Sequence, residues 1–242
     1  MKPPSLPRAA VVLLAAVAAS AAYAETTVVV DDFRTGHFQS PQYRKGWTTD
    51  NHAFQLGAML GGRRDEALGI CDTTVPGRCG SVNPYGQTAS FAITPSALPG
   101  GAPLLIHSAG YDLGPRLEVD YGWGDPMSID FASRVNQGGT GRLRVDFDGL
   151  SETLNFNVLL FSSNGHYAQS GCNIPQHNGP FSAELVLDKF HHDDAFTFAD
   201  VSHIVLIFQS SSTIGTVNFG VRAIEASDTP HGGSVQCFIP LP

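Results

Sequence analysis

The sequence predicts an all-β protein folded as a two-layer antiparallel β-sandwich, and three observations carry that expectation. Apolar residues recur at every second position over short stretches, the pattern of half-buried strands. Glycine (26 residues) and proline (16) are spread along the whole 242-residue chain and separate those stretches. No segment sustains the 3.6-residue apolar period of an amphipathic helix.

The strands follow in order. Thr26 to Phe33 opens with a β-branched run, and Phe54, Leu56, Ala58 and Leu60 alternate before Gly61-Gly62. Phe91 with Ile93, then Leu104 with Ile106, mark two more. Leu117, Val119, Tyr121 and Trp123 share one face opposite Glu118 and Asp120, which places Trp123 in the core. Ile129 and Phe131 follow. Leu143, Val145 and Phe147 alternate with charged residues up to the turn at Gly149, and Leu154, Phe156, Val158 and Leu160 alternate with Thr153, Asn155 and Asn157. Leu185 and Leu187 make another strand. Ile204 to Phe208 is apolar on both faces, as in a central strand, and Val217, Phe219 and Val221 close the series. Roughly ten or more short strands with turns between them favour two packed sheets, with a closed barrel as the alternative.

The first 24 residues read as a secretory signal. Lys2 and Arg8 form a basic start, Ala9 to Ala19 an uncharged apolar run, and Ala22-Tyr23-Ala24 a cleavage site before Glu25. The run is too short to cross ~30 Å of hydrocarbon, which speaks against an anchor. Cleavage leaves 218 of the 242 residues and 12 of the 14 Lys+Arg against all 22 Asp+Glu, a net charge of −10. That balance argues against nucleic acid and anionic membranes as partners, both of which require basic patches. The expected organisation is a signal over 1–24, one sandwich domain over 25–227, and an irregular tail over 228–242. The expected location is the periplasm or the extracellular medium. Oligomeric state has no signature in the sequence.

All four cysteines lie after the signal, and an even count in an exported chain reads as two disulfides with three possible pairings. Cys71–Cys79 is favoured because the residues between them form a loop sequence. Cys172–Cys237 follows by elimination and would tie the tail to a mid-chain loop. No C-x-x-C pair supports zinc.

Three stretches carry a resemblance: Asp31-Asp32-Phe33, Gly57 to Asp65 (Gly-Ala-Met-Leu-Gly-Gly-Arg-Arg-Asp), and Phe198 to Ile204 with Val217 to Val221. In this order they resemble exported bacterial β-sandwich proteins of the PEP-CTERM type. The closing strands are loosely similar to jelly-roll carbohydrate-binding modules. The resemblance implies a jelly-roll sandwich and an exported setting, and hands over no catalytic residues. The sequence departs from it at Phe238 to Pro242, where no Pro-Glu-Pro sorting tail stands, so surface sorting is not implied. Jelly rolls of this kind also imply a structural calcium near the N-terminal edge, for which Asp31, Asp32 and Asn218 supply oxygen donors.

Other candidate chemistry rests on the residues themselves. Glu118 and Asp120 leave one face of a strand, and paired carboxylates are what glycoside hydrolases use as acid and nucleophile or base. The pair resembles the Glu-x-Asp strand of secreted glucanases, but the further glutamate of those enzymes is missing over Gly122 to Gly124. A solvated polar face is the plainer reading. His191-His192-Asp193-Asp194 reads as a solvated loop, and Arg63 or Arg64 after Gly61-Gly62 as a corner with a bidentate pair to Asp65 or another carboxylate. Aromatics in polar, turn-like surroundings are platforms for sugar rings. Trp47 leads these, with Tyr43, Tyr85 and Tyr167. No Gly-x-Ser-x-Gly or His-Glu-x-x-His motif is present. The sequence therefore favours a non-catalytic exported binding or matrix protein that contacts polysaccharide or another extracellular polymer. A secreted glycoside hydrolase or lyase using Glu118 and Asp120 is one alternative, and a purely structural envelope protein the other. No cofactor is expected apart from the calcium.

Overall fold

A computed structural model describes residues 26–42, 52–72, 89–94, 104–109, 113–210 and 217–237. The strands are β1 (Thr27–Asp31), β2 (Phe38–Gln39), β3 (His52–Leu56), β4 (Arg63–Asp72), β5 (Ala89–Thr94), β6 (Leu104–Ala109) and β7 (Leu113–Tyr121). A single helical turn, α1 (Phe131–Arg134), precedes β8 (Arg142–Leu150), β9 (Leu154–Ser162), β10 (Tyr167–Ile174), β11 (Phe181–Val186), β12 (His191–His192), β13 (Val201–Ser210), β14 (Phe219–Ser227) and β15 (Val235–Gln236).

They form two sheets of a jelly-roll sandwich. The first runs β15-β11-β8-β14-β6-β5-β2, with β1 also on β14, and the second runs β12-β10-β9-β13-β7-β4-β3. Pairing is antiparallel except between β11 and β15. The inward residues of both sheets share one core, in which a knot of phenylalanines bridges the layers. Phe147 of the first sheet stacks on Phe181 at 4.8 Å and meets Phe156 and Phe208 of the second edge-on, at 6.4 and 6.3 Å. Such contacts add about 0.5–1.5 kcal/mol per pair beyond burial. The disulfide Cys172–Cys237 ties the sheets covalently. Cys172 sits buried on β10 of the second sheet and not on a loop as expected, and Cys237 follows β15 at the edge of the first. The tail is therefore not wholly irregular, because Val235 and Gln236 extend the first sheet.

The strands read from alternation are present, with local differences. On β3 the phase is reversed: Phe54 and Leu56 face out and Gln55 is buried, so Gln55 can bond the buried Arg64. Ala58 and Leu60 lie in a bend and a 3₁₀ turn around Gly61 and Gly62, both at positive φ. Ile129 forms an isolated bridge, Phe131 opens α1, and Leu187 starts a 3₁₀ turn. Five strands are additional: β4 and β10, and the two-residue β2, β12 and β15. The inward set of β10 is Ala168, Ser170, Cys172 and Ile174, too small and polar to show an apolar rhythm.

No helix among the described residues is long and apolar enough to cross a membrane. Residues 1–25 lie outside the described part.

Candidate functional site

The site grows out of β4, whose first four residues are all charged. Alternation sends Arg64 and Glu66 inward and Arg63 and Asp65 outward. Inside, Arg64 is fully buried. It bonds Glu66 Oε1 at 2.7 Å, Asp31 Oδ2 at 2.5 Å and the Gly36 carbonyl at 2.8 Å, while the Tyr121 hydroxyl donates to Asp31 at 3.0 Å. Burial opposes the guanidinium charge, but Tyr121, Asp31 and Glu66 outweigh it and its pKa is raised. Burial pushes Glu66 up to about 7 against the pull of Arg64.

Outside, Arg63 and Asp65 form a two-pronged pair at 2.8 and 2.6 Å, and the guanidinium lies 4.5 Å from the centre of the Phe54 ring. Asp65 stands directly beside Asp120 of β7, and Ala67 beside Glu118. Glu118 is bonded by Arg116. Together with His52, Ala53 and Trp123, these residues except Arg116 line a groove of about 320 Å³ on the outer face of the second sheet.

Asp120 is the unbalanced member. Its Oδ1 is buried with no hydrogen-bond partner among the described residues. Burial, then the neighbouring Asp65 and Glu118 carboxylates, raise its pKa to about 7 against the pull of Arg63. A carboxyl that is part protonated at neutral pH donates as well as accepts hydrogen bonds.

Trp123 corrects the sequence reading. It is 62% exposed and not in the core. The strand ends at the buried Tyr121, and Gly122 turns the chain at φ +99°, where a Cβ would lie 2.3 Å from the Ser202 carbonyl oxygen. Gly124 follows at φ +77°, so the indole is carried out over the groove mouth. Phe54, 58% exposed, stands on the β3 side. Glycine on both sides of Trp123 was the available signal that the strand had ended.

The remaining candidates are placed as follows. Glu118 and Asp120 share the outward face, as expected. Asp31 is bonded to Arg64, Tyr121 and the Phe33 amide, and Asp32 to Arg34. Asp31 pairs with Ile224, six residues along from Asn218, a span of roughly 20 Å at strand rise. Asn218 instead exchanges bonds with Ser151. The structure therefore does not bring the three calcium candidates together: the aspartates are taken up by arginines, and Asn218 lies beyond coordination distance. Trp47, Tyr43 and Tyr85 lie outside the described residues, as does Cys79 and with it a Cys71–Cys79 bridge. Tyr167 is exposed on β10, beside Phe161 at 6.0 Å. His191 and His192 are a short edge strand on β10 and not a loop, while His166 bonds Asp193 at 2.9 Å and holds that carboxyl below its usual range. Among the described residues no cluster of three or more His, Cys, Asp or Glu is arranged to hold a metal.

No protein-family model matches the chain, and no curated protein is significantly similar to it. Among solved structures, the chain is similar to the family 11 carbohydrate-binding module of a cellulosomal cellulase of Clostridium thermocellum, at 11% identity and a TM-score of 0.37, over 84% of this chain and 95% of that one. It is also similar to an agarase, at 11% identity and a TM-score of 0.40, over 59% of this chain. The match spans 24% of the agarase, so this chain corresponds to less than a quarter of it.

Proposed function

We propose that the protein binds carbohydrate, without cleaving it, through the groove between β3, β4 and β7. The observation that carries this reading is the placing of two exposed aromatic rings, Trp123 and Phe54, at the mouth of a groove lined by Asp65, Glu118, Asp120 and Arg63. Sugar rings stack their C–H faces on aromatics while their hydroxyls seek carboxylate and guanidinium partners. The reading carries with it export, a polysaccharide or envelope polymer as partner, and Trp47, Tyr43 and Tyr85 as further loop contacts. Glycan arrays followed by calorimetry on the secreted protein test it. Binding that Trp123→Ala weakens about tenfold or more supports the groove, in the range expected for loss of an aromatic anchor. If no polysaccharide binds, the carbohydrate reading falls and a purely structural envelope role takes its place.

One observation favours a second reading, glycoside hydrolysis. Asp120 is raised to about 7 and stands two residues from Glu118 on the same face. Asp120 would give its proton to the glycosidic oxygen while Glu118 activates water or attacks the sugar. Reducing sugar released from a polysaccharide panel, and lost in both Glu118→Gln and Asp120→Asn, would establish it. Release undiminished in those variants rejects these residues.

A further inference from the structure

The outer face of the second sheet continues past the groove. Across β13, β9 and β10 the outward position beside Asp120 is Val205, then Leu159, then Gln169. Two residues along, Glu118 leads to Ile207, Asn157 and Gly171, and beyond that Arg116 leads to Gln209, Asn155 and Asn173. In the other direction His203, Phe161 and Tyr167 form an aromatic row, with ring centres 6.3 and 6.0 Å apart. A half-exposed apolar strip of Val205, Ile207 and Leu159 is thus bordered by amides on one side and rings on the other.

Resting on the carbohydrate reading above, we propose that the ligand is an extended, uncharged polysaccharide chain that lies across the strands, from the Trp123 groove to the Asn155–Asn157–Asn173 amides on β9 and β10.

Three independent features support it. The first is charge. The outward positions of β13, β9 and β10 carry no Asp, Glu, Lys or Arg. Arg63 in the groove and Arg116 beside it are each engaged by a carboxylate, which leaves the ionised fraction of Asp120 to repel an anionic chain. Among the described residues of this face, uronate or sulfate groups would find no Lys or Arg that is not already paired with a carboxylate.

The second is the amides. Asn157 donates to Asn155, and Asn155 donates to Asn173 at 3.0 Å. Each bond uses one N–H and fixes which way the amide points, and a second N–H on each amide is left to meet hydroxyls. Gly171 belongs to the same device. Glycine weakens a strand interior, yet a Cβ here would lie 2.3 Å from Asn157 Oδ1, so its absence makes room for that amide.

The third is span. At about 4.8 Å between strands, the path from β3 to β10 crosses five spacings, roughly 24 Å, several times the width of one sugar ring.

The full secreted chain is run in native gels containing β-glucan, xylan, mannan or agarose, and in parallel with alginate or pectin. Oligosaccharides of two to six units from the polymer that retards it are then titrated by calorimetry. The expected result is retardation by a neutral polymer alone and affinity that rises with length to at least four units. Asn155→Ala and Asn173→Ala should each weaken the hexamer by about fivefold, the loss of one or two hydrogen bonds, and leave the dimer unchanged, Asn173→Ala at an unaltered melting temperature. Asn173 is exposed, so its variant separates binding from folding. Affinity already level at the dimer with silent amide variants, or retardation by alginate or pectin, overturns the inference while the groove reading stands. No retardation by any polymer removes both.

Discussion

Replacing Asp120 by Asn probes the groove without a ligand. Its carboxyl rises from 3.8 to about 7, through burial first and the Asp65 and Glu118 charges second. Below pH ~4 both folded and unfolded chains are protonated there, and the group makes no difference. Between pH ~4 and ~7 the unfolded chain releases this proton while the folded one keeps it, so stability falls as pH rises, and above pH ~7 the loss is complete. A shift of about three units corresponds to about 4 kcal/mol at 1.36 kcal/mol per unit. Asp120 is only partly buried, and solvent screening brings this to about 1–2 kcal/mol. Asn has nearly the same shape and no charge. Asp120→Asn should therefore be more stable than the parent by about 1–2 kcal/mol at pH 8 and within about 0.5 kcal/mol of it at pH 4. Glu66, also raised to about 7, is common to both proteins and cancels in the difference. Urea denaturation followed by circular dichroism at both pH values measures it. A difference that does not change between pH 4 and pH 8, or a variant less stable at pH 8, refutes the argument that like charge and burial act on this carboxyl.

Other consequences are equally direct. Gly122→Ala forces a Cβ to within 2.3 Å of the Ser202 carbonyl at a positive φ, and should cost about 1–3 kcal/mol in chemical denaturation; under the proposed carbohydrate reading it should also weaken binding by moving Trp123. The double variant Cys172→Ser, Cys237→Ser opens a link between residues 65 apart and should lose about 4 kcal/mol by the chain-entropy relation, measured as a lower urea midpoint. Arg64→Met leaves the Asp31 and Glu66 carboxylates buried without their cation, a loss of about 3–5 kcal/mol. Adding Glu66→Gln to it should restore part of that in a double-mutant cycle.

How far the fold and site could be read depends on what each strand buries. β8 and β9 put large apolar residues inward at every second position, so their existence and their phase were both legible, whereas β13, apolar on both faces, showed its existence and central place but not its phase. β4 was not legible, because Arg63, Arg64, Asp65 and Glu66 are charged on both faces and periodicity has nothing to detect. On β3 the alternation was seen with the wrong phase, since Phe54 and Leu56 are apolar yet point outward, while the buried residue is Gln55, held by Arg64. The shared face of Glu118 and Asp120 followed from their spacing alone. Their neighbours did not. Asp65 comes opposite Asp120 only through the register of β4 on β7, and Trp123 joins them only through the turn at Gly122.

The two arginines of β4 explain how the groove can keep an uncompensated carboxylate. Arg63 is held outward by Asp65 and caps the Phe54 ring, so it forms a wall of the groove and offsets the Asp120 charge only in part. Arg64, one residue on, is pinned from the opposite side by Asp31, Glu66 and the Gly36 carbonyl, which anchors β4 to β1 and to the chain entering β2. A strand fixed from its inner face in this way cannot easily rotate or slip, because a shift of one residue would expose Arg64 and bury Arg63. The inner cluster thus maintains the register that sets Asp65 against Asp120. The strain of that like-charge contact is sustained by the buried polar cluster behind it, and not relieved by rearrangement of the groove. A residue that lowers stability where it stands, in a groove with exposed rings, is the kind of local conflict expected at a functional site.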